Sequence, residues 1–115
     1  MTMERGELFL APFTYADLEG VKRRPVCAVS LSEFNRGPDV IVAMVTSSRA
    51  RLQGPGLGDV LLSDWRSEGL LTASVVRTGR LQTMESRLLS ARLGVLSERD
   101  AAVGGDALRG VLDLG

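Results

Sequence analysis

An arginine and two hydroxyl residues flank two neighbouring strands that the sequence predicts. Arg24 stands immediately before the apolar run Val26–Leu31, and Thr46 and Ser47 stand at the end of the next run, Val40–Thr46. If the two strands pair antiparallel, the start of one lies beside the end of the other, so Arg24 and Thr46 would meet at one rim of the sheet. A guanidinium matches phosphate oxygens bidentately, and a hydroxyl can complete a phosphate-binding pair. The residues alone also fit a surface arginine beside a strand-end threonine.

Composition excludes several other classes of catalytic site. The 115 residues include no histidine and a single cysteine, Cys27, so a Ser–His–Asp triad, a Cys–His pair and a thiolate or imidazole zinc site are all absent. Cys27 lies in an apolar run, and we expect it to be a buried free thiol, which suits a reducing compartment. The glycine-rich segment 54–58 lacks the Lys–Ser/Thr pair that completes a phosphate-binding loop. The sequence therefore predicts no metal site and no cofactor.

Length and charge indicate one domain without a bulk attraction for nucleic acid. A chain of 115 residues is the size of a single domain, covering residues 1–115. The 14 basic and 14 acidic residues give a formal net charge of +0, so any affinity for nucleic acid must come from local groups. No apolar stretch approaches the ~20 residues of a membrane helix, and the N-terminus lacks a signal-peptide core. We expect a cytoplasmic protein without membrane contact.

Short apolar segments separated by turns predict a mainly β fold with a C-terminal α-helix. The predicted strands are Glu7–Phe13, Val26–Leu31, Val40–Thr46, Asp59–Leu62, Ser74–Thr78 and Leu81–Met84. The segments expected to be loops or turns are Thr14–Arg24, Ser32–Asp39 and Ser47–Gly58. The connections are too short for repeated parallel crossovers, which favours an antiparallel barrel or a strongly curled sheet. Val40–Thr46 is apolar throughout and is predicted to be central, covered on both faces.

Helical structure is predicted mainly at the C-terminus. Ser97, followed three residues later by Asp100, resembles a capping box with aspartate in place of the usual glutamate or glutamine. The apolar stripe of the predicted helix consists of Val103, Ala107, Leu108, Val111 and Leu112. Gly104 and Gly105 fall inside this helix, and each costs it about 1 kcal/mol relative to alanine. Two earlier segments, Asp64–Leu70 ending its turn at Gly69 and Glu85–Leu89, could each hold a helical turn.

The ordered set of strand sequences resembles the MazF/PemK/Kid family of bacterial toxins. The segments that carry the resemblance are Gly6–Leu10, Arg24–Ser30, Val40–Ser47, Asp64–Leu70, Ser74–Arg77, Leu81–Thr83 and Arg92–Ser97. They follow the family's order over nearly the whole chain, although no single one is specific. The resemblance implies an SH3-like curled antiparallel barrel of the CcdB/MazF type with a C-terminal helix, assembled as a homodimer. It also implies a toxin that cleaves single-stranded RNA at specific sequences without a metal ion, and a cognate antitoxin that blocks the site.

The resemblance further implies roles for individual residues. The family's catalytic arginine and threonine fall on Arg24 and Thr46, and a further arginine of Kid-type members falls on Arg77. The RNA 2′-OH would attack the adjacent phosphorus, leaving a 2′,3′-cyclic phosphate and a 5′-OH, while these side chains stabilise the developing charge. The residues expected to contact RNA are Glu19, Pro25, Ser47, Arg49, Arg80 and Gln82. Arginine is a poor general base because it stays protonated, so the base would be Asp17 or Glu19, or no dedicated base exists.

Departures from the family pattern leave two alternative functions open. Gly79 stands where Kid-type members carry an aspartate, and the first loop has no histidine, so a barrel retained only as a binding module fits too. The same barrel occurs in CcdB-type proteins, which poison DNA gyrase by binding and feature an aromatic residue at the extreme C-terminus. Residues 111–115 contain no aromatic side chain, which counts against that alternative. Trp65 could stack on a base, but packing within its own loop is the favoured interpretation.

Overall fold

The structure, a computed structural model, describes residues 3–14 and 21–115, and their elements form a single sheet with short helices around it. In chain order the elements are β1 (Glu7–Thr14), β2 (Val21–Ala28), α1 (Ser32–Asn35), β3 (Asp39–Thr46), α2 (Arg49–Gln53), β4 (Asp59–Leu61), β5 (Val75–Glu85), a 3-10 turn (Ser86–Leu88), β6 (Ala91–Val95) and α3 (Glu98–Leu112). All strand pairs are antiparallel, and the order across the sheet is β4-β5-β3-β2-β1-β6. The sheet curls into a half-barrel with a C-terminal helix, which confirms the predicted fold class.

Strand β3 lies at the centre of the sheet and explains why its sequence is apolar throughout. Alternate side chains of a strand point to opposite faces, and both faces of β3 are covered. Val40, Val42 and Met44 belong to one buried cluster, whereas Ala43 and Val45 belong to a second cluster on the other face. The prediction of a central strand covered on both faces is confirmed. Cys27 lies in the second cluster and is a buried free thiol, also as predicted.

The second strand is longer than its sequence predicted. It begins at Val21, so Arg24 lies inside β2 and the prediction of a loop up to Arg24 is wrong. The cause is pairing with β1, in which Ala11 faces Arg24 and Thr14 faces Val21. A neighbouring strand supplies backbone partners whatever the side chains are, so polar residues with little strand propensity can still extend. Arg24 is therefore held by backbone hydrogen bonding rather than by a loop.

The two predicted strands Ser74–Thr78 and Leu81–Met84 form one continuous strand, β5. The interruption that suggested a turn is a register shift against β3, where Ala43 pairs with Leu81 but the next residue, Met44, pairs with Arg77. The intervening residues Thr78–Arg80 bulge from the ladder without ending it. Gly79 lies in this bulge and is exposed, with open space where a Cβ would stand.

Two predicted turn regions contain short helices, α1 within Ser32–Asp39 and α2 within Ser47–Gly58. Segment Asp64–Leu70 forms one turn, in which the Glu68 N–H donates to the Asp64 carbonyl at 3.1 Å and Gly69 follows at φ +92°. Trp65 packs against the second core cluster, with the Arg66 guanidinium 4.9 Å from its ring centroid. This confirms the packing interpretation of Trp65. In the part of the chain that the structure describes, no helix is long and apolar enough to cross a bilayer.

Helix α3 begins as predicted, and part of its predicted apolar stripe faces the core. Ser97 is the N-cap, and its side chain accepts a hydrogen bond from the Asp100 N–H at 3.2 Å. Within the predicted apolar stripe, Ala107 packs against the second core cluster and Leu108 and Val111 are half-buried, whereas Val103 and Leu112 are exposed. The helix approaches the body of the protein through Gly105, whose missing Cβ leaves room for the Arg5 guanidinium. The missing side chain of a glycine thus permits a close approach at this point of the helix.

Substituting alanine for Gly104 is expected to stabilise the protein. A Cβ at Gly104 meets nothing within 4 Å, so the change adds helix propensity without a clash. The gain is about 1 kcal/mol, or roughly 4 °C in melting temperature. Thermal unfolding followed by circular dichroism measures it. The control is Gly105→Ala, whose Cβ would stand 2.9 Å from Arg5 Nη2 and which should gain less. A lower melting temperature for Gly104→Ala would show that α3 is not a regular helix at this position.

Candidate active site

A groove of about 620 Å³ opens at the end of the sheet where β2 starts its pairing with β3. One side is formed by Arg24 and Pro25 of β2 and by the segment Val45–Ser48, which ends β3. The opposite side, which we call the groove wall, is the segment Gly69–Thr72. Leu10, Ser74 and Leu93 complete the lining. The groove is therefore built from the rim of the sheet and the loop that follows the turn at Asp64–Leu70.

Arg24 and Thr46 lie across from each other on adjacent strands. The register of β2 and β3 pairs Val26 with Met44, and continuing it by two residues places Arg24 opposite Thr46. Both side chains line the groove. The Thr46 Oγ1 accepts a hydrogen bond from the Ser48 N–H at 3.1 Å, which fixes the hydroxyl while leaving its own proton to donate. The sheet thus presents a guanidinium and an oriented hydroxyl at one place.

The described lining of the groove carries one charged side chain, Arg24. Among the described residues that line it, Arg24 is the sole ionisable side chain, and the polar remainder are hydroxyls of Thr46, Ser47, Ser48, Thr72 and Ser74. A partly apolar, one-sided positive groove attracts an anion more strongly than an open surface does, because charges interact more strongly away from bulk water. No lining side chain in residues 3–14 and 21–115 is a carboxylate, thiol or imidazole that would hold a metal ion. The groove is suited to a phosphate group.

The structure divides the remaining residues predicted to form the site. Pro25 and Ser47 line the groove, and Arg49 begins α2 directly after it, with its side chain exposed. Arg80 and Gln82 lie on β5, outside the lining. Glu19 and Asp17, the candidate bases, fall outside the described residues. Among the described residues of this set, Pro25 and Ser47 therefore share the groove lining with Arg24 and Thr46.

Arg77 lies outside the groove and is held by an ion pair. Its Nε donates to Asp59 Oδ1 at 3.1 Å, and the Arg77 side chain is 18% exposed. Asp59 also accepts from the Gly56 N–H at 2.9 Å, so the pair joins β4, β5 and the loop before them. Since β5 pairs Val75 with Thr46 and Arg77 with Met44, Arg77 shares a face of the sheet with Thr46. It lies near the groove but is not part of it.

The groove wall is the part of the site that sequence reasoning missed. Its side chains are mostly aliphatic, and Leu71 is 99% exposed. The wall is positioned by a close backbone contact: an added Cβ at Gly69 would stand 2.0 Å from the Leu93 carbonyl oxygen, and one at Gly94 would stand 2.1 Å from the Glu68 carbonyl oxygen. Two glycines thus allow the wall to lie directly against β6. The glycines themselves were visible in the sequence, but their proximity was not.

Comparison with known proteins identifies the family. A family model described as PemK-like, MazF-like toxin of type II toxin-antitoxin system matches residues 4–112. The chain therefore belongs to the PemK/MazF-like toxin family. No curated protein matches the sequence.

Solved structures share the fold at low sequence identity. An endoribonuclease in complex with its cognate antitoxin from a Mycobacterial species superposes with a TM-score of 0.80 at 21% identity, covering 98% of this chain and 97% of that one. The Mycobacterium tuberculosis toxin MazF-mt6 gives a TM-score of 0.74 at 22% identity, covering 95% and 98%. MazF from Deinococcus radiodurans gives 0.76 at 20% identity, covering 99% of each chain. These proteins therefore share the fold of this chain over nearly their whole length.

Proposed function

We propose that this protein is the toxin of a toxin-antitoxin pair and a metal-independent, sequence-specific endoribonuclease for single-stranded RNA. The observation that carries the proposal is that Arg24 and Thr46 line the same groove, whose described lining holds no other charge. Membership of the PemK/MazF-like family and similarity to structures described as endoribonucleases support it. Two relatives of known structure are complexes with an antitoxin.

The proposed reaction is attack of an RNA 2′-OH on its own 3′-phosphorus. The P–O5′ bond breaks as the new O2′–P bond forms, which yields a 2′,3′-cyclic phosphate and a 5′-OH product. Charge accumulates on the non-bridging phosphoryl oxygens, where preorganised donors lower the barrier by several kcal/mol. Arg24 supplies a fixed positive charge with forked N–H donors, and the Thr46 hydroxyl donates to a phosphoryl oxygen. The first loop, which contains Asp17 and Glu19, is where we place proton abstraction.

Contacts beyond the reacting phosphate would come from the groove rim. Pro25 and Ser47 lie in the groove, and the exposed Arg49 follows it, so these residues can contact the adjoining nucleotides. Because Arg77 forms an ion pair with Asp59, we assign it to a flanking phosphate rather than to the reacting one. Splayed bases of single-stranded RNA can stack against the aliphatic wall or hydrogen-bond to its backbone. Since the net charge is zero, affinity should come from this groove and fall with salt.

The same groove is proposed to bind the antitoxin, and the toxin is proposed to act as a homodimer. A flexible acidic segment of an antitoxin would place a carboxylate on Arg24 and exclude RNA. Exposed apolar side chains outside the groove, among them Leu57 and Leu61 beside the edge strand β4, supply surface that a second copy can cover.

The function is tested by incubating the purified protein with a long RNA in excess EDTA and determining the new ends by mass spectrometry. The proposal expects cuts at a recurrent short sequence, each with a 2′,3′-cyclic phosphate on one product and a 5′-OH on the other. Intact RNA from a folded protein, across several RNAs and salt concentrations, would contradict it. Gyrase inhibition would then test the CcdB-type alternative, and its absence would favour a barrel that only binds.

Removing the Thr46 hydroxyl is expected to lower kcat about 100-fold, because one donor to the phosphoryl oxygens is lost. Thr46→Val keeps the volume of the side chain but removes its hydroxyl. The hydroxyl proton can then no longer be donated to a phosphoryl oxygen, and the Ser48 N–H loses its acceptor. Thr46→Ser is the matched control, since it keeps both functions and should retain most of the activity. Single-turnover cleavage of one mapped RNA site measures the effect. A Thr46→Val protein within a few-fold of the wild type would remove Thr46 from the mechanism.

A further inference from the structure

Three carboxyl groups meet behind the groove wall. One oxygen from each of Asp64, Glu68 and Asp100 lies within 4.8 Å of the others. Glu68 and Asp100 are both 1% exposed, so two of the three acids are buried. Glu68 directly precedes Gly69, the first residue of the wall. Whatever fixes Glu68 therefore also fixes one side of the groove.

One oxygen of Glu68 is satisfied and the other is not. Its Oε2 accepts a hydrogen bond from the Ser97 N–H at 2.7 Å, at the N-cap of α3. Its Oε1 is buried and has no hydrogen-bond donor among the described residues. The neighbouring Asp100 carboxylate cannot donate when ionised, and its two oxygens already accept from the Ser63 and Asp64 N–H groups at 3.1 and 3.0 Å. A buried acceptor without a donor costs about 1–3 kcal/mol, more for a charged group.

A proton on Glu68 Oε1 resolves this conflict. The protonated acid donates to Asp100, and one of two adjacent buried negative charges disappears. The pKa of Glu68 is raised to about 7, chiefly by burial, with the hydrogen bond and the charge of Asp100 adding to the rise and hydrogen bonds from Ser97 opposing it. Two further charged groups lie close by: Asp64, whose pKa is held low by hydrogen bonds from Ser97 and Arg99 so that it stays ionised, and Arg99 itself, whose positive charge interacts with both Asp100 and Glu68. The negative charge of Glu68 also acts on the buried Cys27 thiol. Burial raises the pKa of this thiol to about 12, so it stays neutral.

We propose that Glu68 is a positioning residue of the groove, holding the wall against α3 through a proton shared with Asp100. Its side chain joins the wall to the N-terminus of α3, and its carbonyl oxygen lies against Gly94 of β6. Loss of the proton leaves two buried carboxylates in contact, and the wall moves away from α3 to admit water. The groove wall is then no longer held in position, which weakens RNA binding, while Arg24 and Thr46 stay in place. The RNA consequence rests on the proposed function, whereas the shared proton does not.

The direction of the pH dependence follows from proton binding. Between about pH 4.5, the ordinary pKa of glutamate, and about pH 7, the folded protein holds a proton on Glu68 that the unfolded chain has released. The contribution of Glu68 to the free energy of unfolding is therefore fully present below pH 4.5 and is lost as the pH rises through 7. Glu68→Gln reproduces the protonated acid at every pH, because its amide oxygen accepts from Ser97 and its NH₂ donates to Asp100.

The test compares melting temperatures of the wild type and Glu68→Gln from pH 5 to 8.5, with Asp106→Asn as the matched control. Asp106 is an exposed acid on α3, the helix that also carries Asp100, and it forms an ion pair with Arg109. We expect the wild type to lose stability relative to Glu68→Gln as the pH rises, with the Asp106→Asn profile parallel to the wild type. Parallel profiles for wild type and Glu68→Gln would overturn the proposal. A rise in wild-type melting temperature at pH 8 on adding millimolar Ca²⁺ or Mn²⁺, absent in Glu68→Gln, would overturn it too, since the cluster would then hold a cation.

The second readout is RNA cleavage across the same pH range. We expect KM for the wild type to rise several-fold above pH 7 relative to Glu68→Gln, with kcat changing in parallel for both proteins. Equal KM profiles would overturn the positioning role. If no RNA is cut by either protein, the proposed function has failed, and the melting profiles still decide whether Glu68 shares a proton with Asp100.

Discussion

Arg24→Ala is expected to reduce the rate of RNA cleavage by about 10²–10³-fold while leaving the protein folded. Arg24 supplies the only charge among the described residues of the groove, so its removal leaves no fixed cation beside the reacting phosphate. The strand around it does not depend on the side chain, because β2 is held by backbone pairing with β1. Single-turnover cleavage of a mapped RNA site, with excess enzyme and EDTA, measures the loss in the chemical step.

Two variants of neighbouring chemistry make this result interpretable. Arg23→Ala removes the same charge from an exposed position one residue earlier and should lower cleavage only modestly through weaker attraction of RNA. Arg24→Lys keeps the charge but loses the forked donors, so it should recover only part of the rate. Equal losses for Arg23→Ala and Arg24→Ala would mean that general charge, not placement in the groove, governs cleavage.

Gly94→Ala is expected to destabilise the protein by about 3 kcal/mol, near the upper end for overpacking. Its Cβ would stand 2.1 Å from the Glu68 carbonyl oxygen and 2.7 Å from the Glu68 carbonyl carbon. Both are backbone atoms, so the strain cannot be relieved by rotating a side chain. The substitution separates β6 from the groove wall. Urea unfolding followed by intrinsic tryptophan fluorescence measures the change, since Trp65 lies in the adjoining turn.

Gly79→Ala is the control for this substitution. Its Cβ meets nothing within 4 Å, and we expect a change in unfolding free energy below about 0.5 kcal/mol. If Gly94→Ala unfolds at the same urea concentration as the wild type, the wall does not lie against β6 in solution. The account of how the groove is built would then be wrong, whereas the roles of Arg24 and Thr46 would be unaffected.

The sequence was sufficient to predict the sheet and to predict that Arg24 and Thr46 lie close together, for physical reasons that differ. Apolar runs such as Val40–Thr46 report burial directly, because only a central strand hides both of its faces. Because β2 and β3 pair antiparallel, the start of β2 lies near the end of β3, and this alone brings Arg24 close to Thr46. The start of β2 was not predictable, because residues 22–24 are all basic and their extended conformation comes from pairing with β1.

The groove wall and the Glu68 cluster could not be predicted because they depend on contacts distant in sequence. Asp100 was expected to complete a capping box with Ser97, yet its carboxylate turns to the Ser63 and Asp64 N–H groups. Glu68, which lies 29 residues from Ser97, supplies the missing acceptor for the Ser97 N–H. The sequence showed that Ser97 could cap the helix. The acceptor for the Ser97 N–H, which residue 100 was expected to supply, comes instead from a distant part of the chain. Similarly, Arg77 was assigned by family position, and only the fold reveals Asp59 as its partner.

The measurement that tests the central claim most directly is hydrogen–deuterium exchange of the protein with a non-cleavable RNA. The RNA carries the mapped cleavage sequence with 2′-O-methyl groups, so it binds without reacting. The account predicts slower exchange in the segments that border the groove, at the end of β3 and in the wall 69–72, and loss of this protection in Arg24→Ala. Protection confined to another surface, such as the β4–β5 edge around Arg77, with the groove unchanged, would contradict the claim that RNA is bound and cleaved at Arg24 and Thr46.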